Sequence, residues 1–319
     1  MRKIILFLLL LGLIFILGCQ GQDSGGDGGF PGFGGGKKST SYFGGKADGL
    51  EIKFLNLQPP EILREEQDFT IGLELVNNGQ CDANGQLCVR DALSDVFGGV
   101  QDSCQDINLK AIEDVNGQVI KDSRNLYFRT NSYHDIGREL NTQILAKAVY
   151  HCDFVSGPQL CVKPVIEENE NLCKSMESIS GKELKARSAP ITISKVDKEI
   201  VPESNGVRLI ATITLNKMSK GQASFGTDSG NADFNKGSPI FIGVEYQGFG
   251  EMRCNGLEGN ILYWKSKDTN KIVQCELELE QIDLIENPLN IKLAYDYEVT
   301  ETKQVTIKQK LGNTQTGFS

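Results

Sequence analysis

"LNIKLAYDYEVTETKQVTIKQ", Leu289 to Gln309, alternates apolar and polar residues one by one. Leu289, Ile291, Leu293, Tyr295 and Tyr297 fall on one face and are answered by Val305 and Ile307. Successive side chains of an extended strand point to opposite faces, so this period of two marks a sheet element with one dry side and one wet side. The stretch reads as a long hairpin. Its reading decides the fold class, because no segment after residue 49 sustains a helical period.

The same pattern spreads back through the distal half. "GVRLIATITLN" puts Val207, Leu209, Ala211, Ile213 and Leu215 on one face, and "SPIFIGVEYQG" does so with Ile240, Ile242, Val244 and Tyr246. "NILYWKSKDTNKIVQCELEL" reads as two strands around a polar turn at Ser266 to Asn270, with Trp264 before the turn and Cys275 after it. In the proximal half "GLEIKFLNL" places Leu50, Ile52 and Phe54 opposite Glu51 and Lys53, and Pro59-Pro60 then ends the run, since neither proline donates to a ladder. Strands at these intervals predict an all-β chain of antiparallel sandwiches.

"DFTIGLELVNNG" carries Phe69, Ile71, Leu73 and Leu75 on one face and ends in Asn77-Asn78-Gly79, residues that tolerate positive φ. This segment resembles the second strand of the Ig-like modules of surface proteins, such as the CARDB type, in which an alternating strand ends in N-x-G. In "TQILAKAVYHCDF" the spacing of Tyr150 and Cys152 is similar to the tyrosine corner of immunoglobulin domains. There the likeness stops: Phe69 to Val76 contains no cysteine and this half contains no tryptophan. Cys152 therefore takes its partner among Cys81, Cys88 and Cys104.

The chain begins with basic Arg2 and Lys3, and Ile4 to Leu17 is then almost wholly apolar. A helix needs about twenty apolar residues to cross a bilayer, so the run suits a signal peptide better than a span. Ile16-Leu17-Gly18-Cys19 resembles the lipobox of secreted lipoproteins, which implies a diacylglycerol group on Cys19 after cleavage. The alternative is an uncleaved signal anchor, and both put Gln20 onward outside the membrane. "GQDSGGDGGFPGFGGGKKSTSYFGGKADG" is too poor in apolar surface to offset its ordering entropy and reads as a flexible tether. The expected layout is 1–19 signal peptide, 20–48 tether, 49–190 first sandwich, 191–310 second sandwich and 311–319 disordered tail.

An exported chain reads its cysteines as disulfides. Setting Cys19 aside leaves Cys81, Cys88, Cys104, Cys152, Cys161, Cys173, Cys254 and Cys275, with no C-x-x-C pair of the kind a metal site uses. Cys254 and Cys275 pair if the halves are separate domains, and Cys161 with Cys173 closes a polar loop. "CDANGQLC", Cys81 to Cys88, has Asn84-Gly85 at its centre, a hairpin signal. A bridge from Cys81 to Cys88 is plausible there, and Cys88 to Cys104 works as well.

The chemistry-bearing residues are few. The chain has 33 Lys and Arg against 42 Asp and Glu, a net charge of −9, two histidines and no basic stripe, which argues against binding nucleic acid or anionic lipid through charge. His134 and His151 lie in no G-x-S-x-G, H-E-x-x-H or C-G-x-C-W context and read as solvated residues. Asp228, Asn231, Asp233 and Asn235 cluster in "DSGNADFNKGS", but Lys236 and Ile242 stand where an EF-hand needs Gly and Glu. Glu276, Glu278 and Glu280 read as the charged outer side of a strand. No metal, cofactor or catalytic residue is expected.

The layout resembles uncharacterised archaeal exported lipoproteins that join a "GLE-x-x-F…PP" opening to an "APITISKV"-type start of a second Ig-like domain. The resemblance spans most of 49–310 and implies no activity. The expected function is a non-catalytic lipoprotein on the outer face of the cytoplasmic membrane, binding an envelope protein or glycan. The alternatives are an accessory or substrate-binding lipoprotein of a transporter or secretion system, and an extracellular hydrolase.

Overall fold

Leu289 to Gln309 is not a hairpin. The computed structural model describes residues 48–164, 173–217, 219–225, 236–280 and 282–310, and runs this stretch inside one 24-residue strand, β20 (Ile285–Lys308). The reason is parity. Leu289 through Val299 and then Val305 and Ile307 are all odd-numbered and buried, so the alternation never slips across the polar middle. Lys303, at an inward position of that middle, donates from Nζ to the Pro59 carbonyl at 2.7 Å.

β20 is the spine of a ten-stranded sheet. On one side it pairs antiparallel with all 17 residues of β9 (Leu140–Ser156), Ile291 to Ile307 against Ser156 to Leu140. On the other side it meets β15 (Ser238–Tyr246), then β14 (Gln222–Ser224), then β2 (Ile62–Arg64), which lies parallel to its end. Beyond β9 come β4 (Ala83–Asp91) and the edge strand β5 (Ser103–Leu109). β10 (Gln159–Val162), β16 (Gly250–Glu251) and β18 (Ile261–Trp264) complete the sheet.

Two smaller sheets supply the other apolar faces. One is three-stranded, β1 (Leu50–Phe54), β3 (Thr70–Asn77) and β8 (Ser123–Arg129). The other is five-stranded, in the order β11 (Met176–Ser180), β12 (Ile191–Glu203), β13 (Gly206–Lys217), β19 (Asn270–Glu280) and β17 (Arg253–Cys254). Ile71, Leu73 and Leu75 from the first, Leu209, Ala211 and Ile213 from the second, and Leu87, Ala148, Ile291 and Leu293 from the large sheet are buried in one continuous core. The fold is all-β and its sheets are antiparallel apart from the β2 contact. One hairpin, β6 (Glu113–Val115) with β7 (Gln118–Ile120), and one four-residue helix, α1 (Ser94–Phe97), stand outside these layers.

The expected halves, 49–190 and 191–310, each contribute strands to the large sheet, and β11, numbered before 190, joins the sheet of β12 and β13. Described residues all fall in one compact unit, Thr40–Ser319; the other unit, Met1–Ser39, lies outside them. Buried tyrosines of the large sheet fasten the first residues of β12 and β1. Tyr295 donates from Oη to the Ile191 carbonyl and accepts the Ile191 N–H, both at 2.9 Å, while Tyr150 accepts the Leu50 N–H at 3.1 Å. Gln80 and Ser188 tie the segment before β4 to the segment before β12, Gln80 N–H to the Ser188 carbonyl at 2.6 Å and Ser188 N–H to the Gln80 Oε1 at 2.8 Å.

The hairpin expected at Asn84-Gly85 is also absent: both residues sit inside β4. A Cβ on Gly85 would stand 2.0 Å from the Val149 carbonyl oxygen and 2.6 Å from the Tyr150 Cα, so glycine is there for close approach of β9 and not for a turn. Cys81 lies in a bend before β4 and Cys88 within it, and each pairs with a different cysteine rather than with the other. The structure joins Cys81 to Cys152, Cys88 to Cys104, Cys161 to Cys173 and Cys254 to Cys275. The two strands around Ser266 to Asn270 are present, but β18 pairs in the large sheet and β19 in the five-stranded one, so the turn crosses between layers.

Candidate functional site

The large sheet has an inner face made of core residues and an outer face that keeps its polar side chains in water. Even residues of β20 and odd residues of β9 point outward, and antiparallel register sets them side by side. One row across the strands reads Asn108, Asn84, His151, Asp296, Ser224; the next reads Asp106, Gln86, Val149, Glu298, Gln222. His151 Nδ1 lies 2.9 Å from Asp296 Oδ1, and Lys147 Nζ lies 2.7 Å from Glu298 Oε2. The hydrogen bond to Asp296 raises the His151 pKa above its usual value; partial burial opposes it, and the Asp296 and Asp153 charges add to it.

At the β4 end the outer face dips into an open hollow of about 820 Å³. Its floor is Leu145 and Thr302, paired in the ladder, with Gln143 beside them. Its wall is the β4–β5 connection, which carries α1 and brings Asp95, Gln101 and Asp102 to the rim beside Arg90 of β4. Asp91 anchors the wall from beneath. One of its carboxylate oxygens accepts from Thr142 Oγ1 and from the Leu93 N–H, the other from Tyr133 Oη at 2.5 Å. Burial first, then the Asp91 contact, pushes the Tyr133 phenol far up, so it stays a donor.

This arrangement offers a broad set of donors and acceptors with little apolar ground, suited to holding a polar partner. It is not arranged for acyl transfer. A base needs the nucleophile on the side away from its orienting carboxylate; across β9 from Asp296 the neighbour of His151 is Asn84, and Ser224 lies beyond Asp296 instead. His134 pairs with its neighbour Asp135 at 3.1 Å and is not brought to His151. Glu276 is held by Arg253 and, at 3.6 Å, by Arg208 on the five-stranded sheet, with the Arg253 contact holding its carboxyl below the usual range.

Cys19 and the cluster Asp228, Asn231, Asp233 and Asn235 lie outside the described residues. Among the described residues no group of three or more His, Cys, Asp or Glu is placed to hold a metal, and no helix is long and apolar enough to cross a membrane. Four disulfides form and persist in an oxidising compartment, outside the reducing cytosol. Sequence reading missed the outer-face rows and the hollow. The parity of Lys147, Val149 and His151 marked them as outward, but which strands flank them is a matter of register.

No family model matches the chain, and no curated protein matches it. A solved structure of a DUF4466 family protein from Parabacteroides merdae aligns with 79% of this chain and 100% of its own at 7% identity and a TM-score of 0.20, a likeness that carries no argument.

Proposed function

We propose that the chain is a non-catalytic surface lipoprotein, held to the outer face of the cytoplasmic membrane through lipid on Cys19, that presents the outer face of its large sheet to an envelope protein or glycan. The lipobox-like Ile16-Leu17-Gly18-Cys19 and the Gly-rich tether support the anchoring, and the CARDB-like segment Asp68 to Gly79 supports the Ig-like, surface-module character. One observation carries the contact reading: a single sheet buries a mainly apolar inner side and displays mainly polar rows plus a hollow on the other. Such a face, built on strands, presents its contacts without the cost of ordering a loop on binding.

Two experiments test it. Intact mass of protein extracted from its native membrane is expected to begin at Cys19 with a diacyl adduct, and Cys19→Ser to release the chain from the membrane fraction; a mass retaining Met1 sinks the lipid anchor. Binding of the purified chain to isolated envelope fragments is expected to fall about tenfold with Lys147→Glu, as loss of an interface charge does, and to be indifferent to Gln274→Glu on the five-stranded sheet. Equal response of the two variants rejects the contact face.

A further inference from the structure

The four disulfides differ in shelter. Cys81 and Cys152 are buried, at 2% and 0% exposure, and Cys173 and Cys275 are buried partners of half-buried Cys161 and Cys254. Cys88 and Cys104 stand apart: Cys88 is half-buried, Cys104 is exposed, and the two face each other on the edge pair β4–β5 with no strand beyond β5 in that sheet. Their bridge closes the chain segment that forms the wall of the hollow. Lys147 is directly across from Cys88 in the β4–β9 ladder, its ammonium paired with Glu298.

The rest of the wall has its own fastenings. Its first part is tied by Asp91, and its middle by buried Val100, by the Asn131 N–H to the Gly99 carbonyl at 3.1 Å and by the Gly98–Tyr133 bridge. Between Val100 and Cys104 only Gln101, Asp102 and Ser103 remain; Gln101 and Asp102 line the hollow, and the Val89–Ser103 pair is the last of the ladder. The bridge is the covalent hold on that short piece.

We propose that Cys88–Cys104 is a thiol–disulfide exchange site, opened by an exported dithiol donor, whose opening loosens Gln101 to Ser103 and widens the hollow. The donor thiolate attacks the exposed Cys104 sulfur, the Cys88–Cys104 bond breaks, and Cys88 leaves as a thiolate beside Lys147 and takes a proton from water. The donor's second thiol then attacks its own sulfur in the mixed disulfide, releasing Cys104 as a thiol and the donor as a disulfide, so two electrons pass from donor to protein. Exposed bridges are the labile ones, and access sets the order in which bridges open. The inference goes beyond the contact reading and stands without it.

The test is graded dithiothreitol on the native full chain, followed by alkylation and peptide mapping. Cys88 and Cys104 are expected to label at about tenfold less reductant than Cys81, Cys152, Cys254 and Cys275. Opening together with those four, or after them, overturns the exchange site. Hydrogen exchange on the selectively reduced protein is expected to speed at 101–103 while β9 and β20 keep their protection; the Cys88→Ser/Cys104→Ser variant is expected to match it. Unchanged exchange at 101–103, or a general acceleration showing that the bridge staples the whole fold, overturns the loosened wall.

Discussion

At the scale of single residues, the fold leans on groups that have one geometric solution. Gly85 is the sharpest. With the Val149 carbonyl oxygen 2.0 Å from where its Cβ would stand, Gly85→Ala is expected to push β4 from β9 and destabilise the chain by about 3 kcal/mol, read as a lowered denaturation midpoint with unchanged slope. The tyrosines that fasten β12 and β1 are comparable. Tyr295→Phe strands both the N–H and the carbonyl of Ile191, and a loss of about 2 kcal/mol is expected, against about 1 kcal/mol for Tyr150→Phe, which strands only the Leu50 N–H. His151 supplies a pH dependence. Its pKa is raised in the folded chain, chiefly by the hydrogen bond to Asp296, with Asp153 adding and Lys292 opposing. The stabilisation it gives is therefore complete below the unfolded histidine value near 6.5 and fades as pH rises through the folded value. An NMR titration is expected to show the His151 ring titrating above that value, and Asp296→Asn to remove the elevation.

At the scale of elements, the decisive object is β20. Strand identity was legible in the sequence, since the alternating runs from Leu50 to Ile307 are strands and most of their apolar faces are buried. What misled was the polar middle of β20, Thr300 to Gln304, which has the composition of a turn. The parity of Val299 and Val305 was the available signal, because a continuous strand must keep it and a hairpin need not. The prediction follows from that parity. Deleting Thr300 alone turns Val305 and Ile307 to the outer face and is expected to expose the proximal core to protease, while deleting Thr300 and Glu301 together keeps the faces and is expected to be far milder. The turn at Asn84-Gly85 misled for a different reason: the glycine answers a contact with Val149 and Tyr150, residues about sixty positions away. No local signal carries that contact.

At the scale of the whole molecule, one sheet couples residues from both ends of the described chain. The Cys81–Cys152 bridge closes a loop of 71 residues across it and is buried at both ends. Loop-closure entropy assigns such a bridge about 4 kcal/mol, so Cys81→Ala/Cys152→Ala is expected to lower the melting temperature more than loss of Cys161–Cys173, whose loop spans 12 residues and is worth about 3 kcal/mol. Because β9 and β20 share their full ladder, calorimetry of the oxidised chain is expected to show one cooperative transition. Two separated transitions would show that the β9–β20 ladder does not couple the halves.

The sequence alone determined the all-β class, the inward and outward side of nearly every strand, and the disulfide-bearing character of the chain, because all of these follow from a local period of two and from cysteine spacing. Only the tertiary structure decided that the last long strand is one piece and which of Cys81, Cys88 and Cys104 joins Cys152. It also decided that His151 meets Asp296 while Ser224 lies on the carboxylate's far side. Those facts depend on register between strands far apart in the chain, and register is chosen by the packing of complete faces against each other, a property that no short stretch of sequence contains.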